Sequence, residues 1–365
     1  MKKVLSIILV LAMVLCMAAC GGKETASSAP AASTPAASTP ASSSAAPAAP
    51  AEETHDPLTL KLCCSETETS VLGKNLQWVV DEFNKFSDIT TIEFYPNNQL
   101  GSLDDMEEQV SSGAPLMVSD GAGNLGKYAE HLGILGVPYI LSGLYDYMYA
   151  PQTDWYKQNV QGDLDANNIT LLSFQSNGYR HFIGSHAIQH VSDVASTVLR
   201  MGPNPQLQGF ASIMGGSPTT STWADNYTLI QAGTIDCCEA AIDLLWTSSL
   251  YEVSQYLSLT GHFTTPSSVF MNTDIFNMLT AAEQAKLLEL FNQLAINVSD
   301  EMIASEADYI KQFEEVGTNV IYPEDIDIDE FKSYMPKLCA SLGYDEAEVQ
   351  EALDQIAAAA KADGR

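Results

Sequence analysis

Gly178-Tyr179-Arg180-His181-Phe182 opens the stretch on which the fold turns. It continues through Val198-Leu199-Arg200-Met201-Gly202-Pro203, Asn226-Tyr227 and Gln231-Ala232-Gly233-Thr234-Ile235-Asp236. It then runs through Ser249-Leu250-Tyr251-Glu252-Val253 and closes on Tyr256-Leu257-Ser258-Leu259-Thr260-Gly261-His262. Arg180 and Arg200 stand out here, because the chain has only 16 Lys plus Arg against 46 Asp plus Glu, a formal net charge of −30. A surface of that sign repels anions at long range, so an arginine in a cleft has to act by contact. Its planar fork suits the task, since two parallel hydrogen bonds match a carboxylate.

In this order and with these gaps, the blocks resemble the DctP-type solute receptors of TRAP transporters (tripartite ATP-independent periplasmic transporters). That family has a G-x-R-x-(F/I) turn, a later R-V-P-like strand, a Y-x-A-L-Q-x-G-x-V-D-G segment and a Y-E-V-x-(K/Q)-Y…T-x-H helix end. Five ordered blocks are far more specific than one short motif. The resemblance implies an α/β, two-lobed periplasmic-binding-protein-like fold with a long helix spanning both lobes. It also implies that Arg200 holds a ligand carboxylate and Arg180 makes a second contact, although an internal salt bridge is the other role open to either. Asn272, in Val269-Phe270-Met271-Asn272, matches the family's polar residue on the strand that re-enters the first lobe, where an amide can bond a second ligand oxygen or else form a cap or turn. Glu239 matches the family's acidic residue; beside an anionic ligand it must be paired, be structural, or meet a hydroxyl or amine of the solute. Trp223, Tyr179, Trp246 and Tyr139 are candidates for the apolar wall, each more readily core than contact.

The chain also departs from the pattern. Asp193-Val194-Ala195-Ser196-Thr197-Val198-Leu199-Arg200 lacks the glycine usual before the strand, Cys237-Cys238 stands for Gly-Gln or Gly-Glu, and Glu239-Ala240-Ala241 stands for E-N-P. The asparagine replaced by Ala240 often touches ligand in the family, which implies a solute outside the best-known range.

Upstream, Met1-Lys2-Lys3, an apolar run from Val4 to Met17 and Ala18-Ala19-Cys20 read as a secretory signal, residues 1–19. The apolar run is shorter than the ~20 residues a spanning helix needs. The ending looks like a lipobox, so Cys20 is expected to be lipidated. Residues 20–56 are an Ala/Ser/Pro/Thr tether with Ala31-Ala32-Ser33-Thr34-Pro35 repeated at 36–40. Lacking large apolar residues, such a segment cannot offset the entropy of ordering. As a coil it spans roughly 35 Å, and up to about 110 Å in polyproline II. Loss of Lys2 and Lys3 takes the formal charge to −30 − 2 = −32, which argues against nucleic acid and against anionic lipid.

Past Cys20 the cysteines are Cys63, Cys64, Cys237, Cys238 and Cys339. Adjacent pairs are not a secreted disulfide framework, and neighbours on a strand point to opposite faces, so they serve one metal ion poorly. Buried or free thiols are expected, with a redox-linked bridge as the alternative and no metal or cofactor.

The globular part divides into regular elements. Leu58 to Cys63 reads as a strand, Ser70 to Phe86 as a helix, Thr90 to Tyr95 as a strand, Leu103 to Ser111 as a helix, and a short strand follows Pro115. This β-α-β-α-β series specifies a mainly parallel sheet with helices on its faces. Ligands bind beyond the carboxyl ends of such strands, which places Ser65 and Glu66 among the candidate contacts. Thr280-Ala281-Ala282-Glu283 is a capping box, and no Pro or Gly interrupts the chain from Ala281 to Val316. A helix of about 36 residues is about 54 Å long, more than one lobe needs. The expected lobes are 57–176 plus 266–304 and 177–265 plus 305–365.

These readings converge on a lipid-anchored solute receptor on the extracytoplasmic face of the cell membrane. It would capture a small carboxylate-bearing solute by lobe closure and deliver it to TRAP permease subunits. A ligand-sensing receptor for a membrane signalling protein would use the same residues. No nucleophile motif with supporting spacing points to an enzyme.

Overall fold

The computed structural model describes residues 54–121, 125–141, 143–202 and 204–364. The expected signal segment, Cys20 and nearly all of the tether lie outside the described residues. One nine-stranded sheet organises the rest: β1 (Leu58–Cys64), β2 (Thr90–Tyr95), β3 (Leu116–Gly121), β4 (Ile169–Gly184), β5 (Val198–Arg200), β6 (Ser217–Thr219), β7 (Cys237–Ala241), β8 (Tyr256–Asn272) and β9 (Asn319–Ile321). The order is β2-β1-β3-β8-β4-β7-β5-β6, with β9 beside β8.

Each end of the sheet is a small parallel unit. β1 pairs in parallel with β2 and β3, and β5 with β6 and β7. The long antiparallel pair β4–β8 joins them, and its two halves belong to different lobes. Between the halves the register slips at Ser176/Tyr179, and Gly178 (φ 95°) and Gly261 (φ 52°) sit in left-handed conformations that glycine adopts without Cβ strain. Pro266, which has no N–H for a ladder, falls at this crossing opposite Ser176.

Helix α1 (Val71–Phe86) begins at Ser70, whose hydroxyl accepts from Gly73 N. It buries Leu72, Leu76, Val79, Val80 and Phe83 against β1, the helical spacing seen in the sequence. Helix α2 (Leu103–Ser111) is capped in the same way by Ser102. Two further helices, α3 (Pro205–Ile213) and α4 (Ile242–Thr247), belong to the second lobe.

The long helix α5 (Ala281–Glu315) has 35 residues, and both capping-box bonds between Thr280 and Glu283 form. Leu287, Leu290, Phe291, Leu294 and Val298 pack with α1 and β1, while Phe313 packs with β7 and α4. One rigid rod therefore contributes to both lobes, and each of its buried apolar side chains stabilises by roughly 1.5–3 kcal/mol. Gly317 ends it at φ 89°.

Two expectations need correction. The segment expected as a helix end, 256–262, is the first part of strand β8; only Leu250–Glu252 forms a helical turn. The C-terminal helix α6 (Glu346–Asp363), placed by sequence in the second lobe, lies on residues 131–160 of the first. Its Glu348 meets His131 Nδ1 at 2.5 Å, Gln355 accepts from Trp155 N at 2.7 Å, and Asp363 accepts from the Tyr149 hydroxyl at 2.7 Å.

Candidate functional site

Between the lobes lies a cavity of about 350 Å³, to which β3 and the β8 crossing contribute from one side and β4, β5, α3 and α4 from the other. Arg180 and Arg200 both line it. Arg180 stands just past the crossing on β4, and Glu239 lies on the neighbouring strand β7. Its Nε meets Glu239 Oε2 at 2.5 Å, and its Nη2 donates to Glu239 Oε1 at 2.9 Å and to the Glu239 carbonyl at 3.1 Å.

Glu239 is fully buried and has further company. Gly202 N, just past β5, donates to its Oε1 at 3.1 Å, and His262 Nε2 stands 3.5 Å from its Oε2, within ion-pair range but long for a hydrogen bond. Burial alone would raise this carboxyl; Arg180 and His262 outweigh it and hold the group at about 2. His262 is also buried, stacked on Phe182 at 4.4 Å and linked by Nδ1 to Thr260 Oγ1 at 2.8 Å. Burial lowers its basicity, with Glu239 acting against that. Glu239 thus ties β4, the loop after β5 and β8 together at one buried charge.

Arg200 is different. It closes β5, is 7 % exposed, and donates from Nη2 to the Ser221 carbonyl at 3.1 Å. Its guanidinium lies 5.2 Å from the centre of the Trp223 ring. Nε is buried and has no partner, and among the described residues no carboxylate comes within ion-pair distance of Arg200. Burial and then Arg180 push against its charge, although Glu239 acts the other way, so its acidity rises. A cation held this way, with a donor unpaired, is poised to receive an anionic oxygen.

The structure brings Arg180, Arg200, Glu239 and Trp223 together and leaves the other candidates apart. Ser65 and Glu66 follow β1 without lining the cavity; Ser65 is exposed, and burial, then Asp243 and Asp120, raises the Glu66 carboxyl. Asn272, expected at the ligand, is instead a buried cap. Its Oδ1 accepts from Asp274 N at 3.0 Å and Ile275 N at 3.3 Å, and its Nδ2 donates to the Val110 carbonyl at 3.0 Å. It lies five residues along β8 from Ser267, which pairs with Gly121 at the cavity. At about 3.3 Å per residue that is roughly 17 Å away.

Among the expected wall aromatics, Trp246 is core, stacked on Tyr251 at 4.5 Å. Tyr139 and Tyr179 face a second cavity of about 320 Å³, where His181, the neighbour of Arg180 on β4, pairs with Glu306 at 2.9 Å. Successive strand residues face opposite ways, so the two cavities lie on opposite faces of β4. Thr265, Leu244 and Phe263 line the arginine cavity and carry no sequence signal of their own. The five described cysteines are buried and unbridged, and burial pushes Cys63, Cys64 and Cys237 up to about 12.

Comparison with known proteins places this geometry. A family model described as bacterial extracellular solute-binding protein, family 7 (DctP), matches residues 67–344. The 2,3-diketo-L-gulonate-binding periplasmic protein YiaO of Escherichia coli is 25% identical over 234 residues, 63% of this chain and 70% of that protein. The sialic acid-binding periplasmic protein SiaP of Vibrio cholerae is 22% identical over 282 residues, 77% of this chain and 87% of that protein. Among solved structures, an apo, open TRAP periplasmic solute-binding protein from Escherichia fergusonii matches with TM-score 0.74 at 20% identity, covering 82% of this chain and 99% of that one. One from Actinobacillus succinogenes with bound L-galactonate matches with TM-score 0.70 at 20% identity over the same shares.

Proposed function

This chain belongs to bacterial extracellular solute-binding protein family 7, the DctP family, and from that premise we propose that it captures a small carboxylate-bearing solute for a TRAP permease. Its family binds solutes outside the cytoplasm and is not one of enzymes. Among the described residues no helix is long and apolar enough to cross a membrane. The lipobox at Cys20 and the tether behind it supply the attachment: a lipid holds the protein at the extracytoplasmic face, within reach of the permease.

One observation carries the reading, namely Arg200 as a buried cation at the inter-lobe cavity with an unpaired Nε and, among the described residues, no carboxylate within ion-pair distance. A solute carboxylate completes that site. Trp223 fixes the guanidinium plane, and Arg180, held and neutralised by Glu239, adds a further donor edge. Contacts from both lobes to one ligand favour the closed arrangement, with Gly178 and Gly261 absorbing the hinge motion. The solutes of relatives support the acid class: diketogulonate, sialic acid and galactonate all carry a carboxylate.

The test is a thermal-shift screen of the purified protein against small organic acids, repeated with Arg200→Ala. A ligand at 100 times its dissociation constant adds roughly 2.7 kcal/mol to folded-state stability. We expect at least one acid to shift the wild type and none to shift the variant. A shift that survives without Arg200 refutes the clamp.

A further inference from the structure

We propose that the solute is a monocarboxylate with an apolar body, rather than a dicarboxylate, a polyhydroxylated sugar acid or a zwitterion; the inference rests on the receptor reading above. Three properties of the arginine cavity lead there.

The first is charge. Two guanidinium groups line the cavity, but Arg180 is neutralised by the Glu239 carboxylate it grips. Together with Arg200 the three groups sum to a single positive charge, which one carboxylate cancels. A second carboxylate would be buried without a cation, since no lysine or further arginine is among the described residues lining the cavity. Among the described residues no aspartate or glutamate lines it either, and Glu239 is engaged by Arg180, so a ligand ammonium finds no unpaired carboxylate in the lining.

The second is the wall. Leu207, Trp223, Leu244, Phe263 and Pro266 face the space. Trp223 turns its one polar atom away, donating from Nε1 to Ser248 Oγ at 2.8 Å, and so offers only ring carbon. Leu244 is 38 % exposed, and an apolar ligand body would cover it.

The third is the small supply of hydrogen-bonding groups. Asn204 Oδ1 is spent on the Gln206 and Leu207 amides at 2.8 and 3.2 Å. Thr265 Oγ1 is buried without a partner and is free to bond one ligand oxygen. An aldonate has a hydroxyl on every carbon beyond its carboxylate, and most of these would lose water without replacement. Specificity in such a site comes from a few placed polar groups within an apolar lining.

The experiment is calorimetric titration of the purified protein with hexanoate, 3-phenylpropanoate, D-gluconate, adipate and 6-aminohexanoate, repeated with Leu244→Asn. We expect hexanoate or 3-phenylpropanoate to bind at least ~10-fold tighter than gluconate, adipate and 6-aminohexanoate. Leu244→Asn should narrow that ratio; its side chain is exposed enough for the variant to fold, and an unchanged ratio counts against the wall. Gluconate, adipate or 6-aminohexanoate binding as tightly as the apolar acids overturns the inference and leaves the receptor reading standing. If no probe binds to folded protein while the wider acid screen gives a shift that needs Arg200, this inference fails and the receptor reading stands; if neither gives binding, both fail.

Discussion

Arg180 and Arg200 carry the same charge in the same cavity, and their surroundings give them different work. Arg180 holds a buried carboxylate, so Arg180→Ala leaves Glu239 uncompensated and should cost about 3–5 kcal/mol. Arg200→Ala removes a buried cation that makes no ion pair among the described residues, so it should leave the unliganded protein about as stable as before while abolishing acid binding. Urea denaturation of the two variants checks this contrast; equal losses would mean that Arg200 is structural as well. Glu239 sets a pH dependence too. Its folded pKa of about 2 lies below its ordinary 4.5, so its stabilisation is complete above pH 4.5 and is lost as pH falls toward 2. Urea midpoints followed through that range should fall less steeply in Glu239→Gln than in the wild type.

At the scale of the element, α5 depends on its first turn, and the hinge on its glycines. Thr280→Ala removes the hydroxyl that accepts from Glu283 N and should cost about 0.5–2 kcal/mol, read from the denaturant midpoint at unchanged slope. Gly178 holds φ 95°, and a Cβ there would stand 3.3 Å from Met302 Sδ on α5. Gly178→Ala is therefore strained in the backbone and crowded against the long helix, and should cost on the order of 1–2 kcal/mol. β7 shows why the cysteine pairs are quiet: Cys237 and Cys238 are both buried in its ladder, each packed into a different apolar cluster. Alkylation mapped by mass spectrometry should modify Cys63, Cys64, Cys237, Cys238 and Cys339 only as the protein unfolds.

The whole molecule repels the class of ligand it is proposed to bind. With a formal net charge of −30, approach of an organic acid is opposed beyond the contact shell. Added salt shortens the range of that repulsion to about 8 Å at physiological ionic strength. The association rate of an acid, followed by tryptophan fluorescence in stopped flow, should therefore rise with salt. A falling rate would mean that the cavity's own positive field governs capture. The sheet is continuous through both lobes, so the proposed closure would bend it where β4 and β8 slip register and where Gly178 and Gly261 take positive φ.

Local rules were enough for much of this. The α1 stripe, the Ser70 and Thr280 caps, the uninterrupted run of α5 and the alternation of β1 each depend on residues within a few positions of one another, and each is written in the chain. Ordered blocks around Arg180 and Arg200 likewise pointed to the family. What needed the folded molecule was whatever depends on neighbours far apart in sequence. Asn272 reads as a ligand amide until the end of α2 and the turn after β8 are seen to consume it. Glu239 and Arg180, 59 residues apart, become a pair only when β7 lies beside β4. Thr265, Leu244 and Phe263 gain meaning only because the β8 crossing faces α4 across a cavity. Hydrogen bonds and charges act over a few ångströms, and only tertiary packing decides which groups come that close.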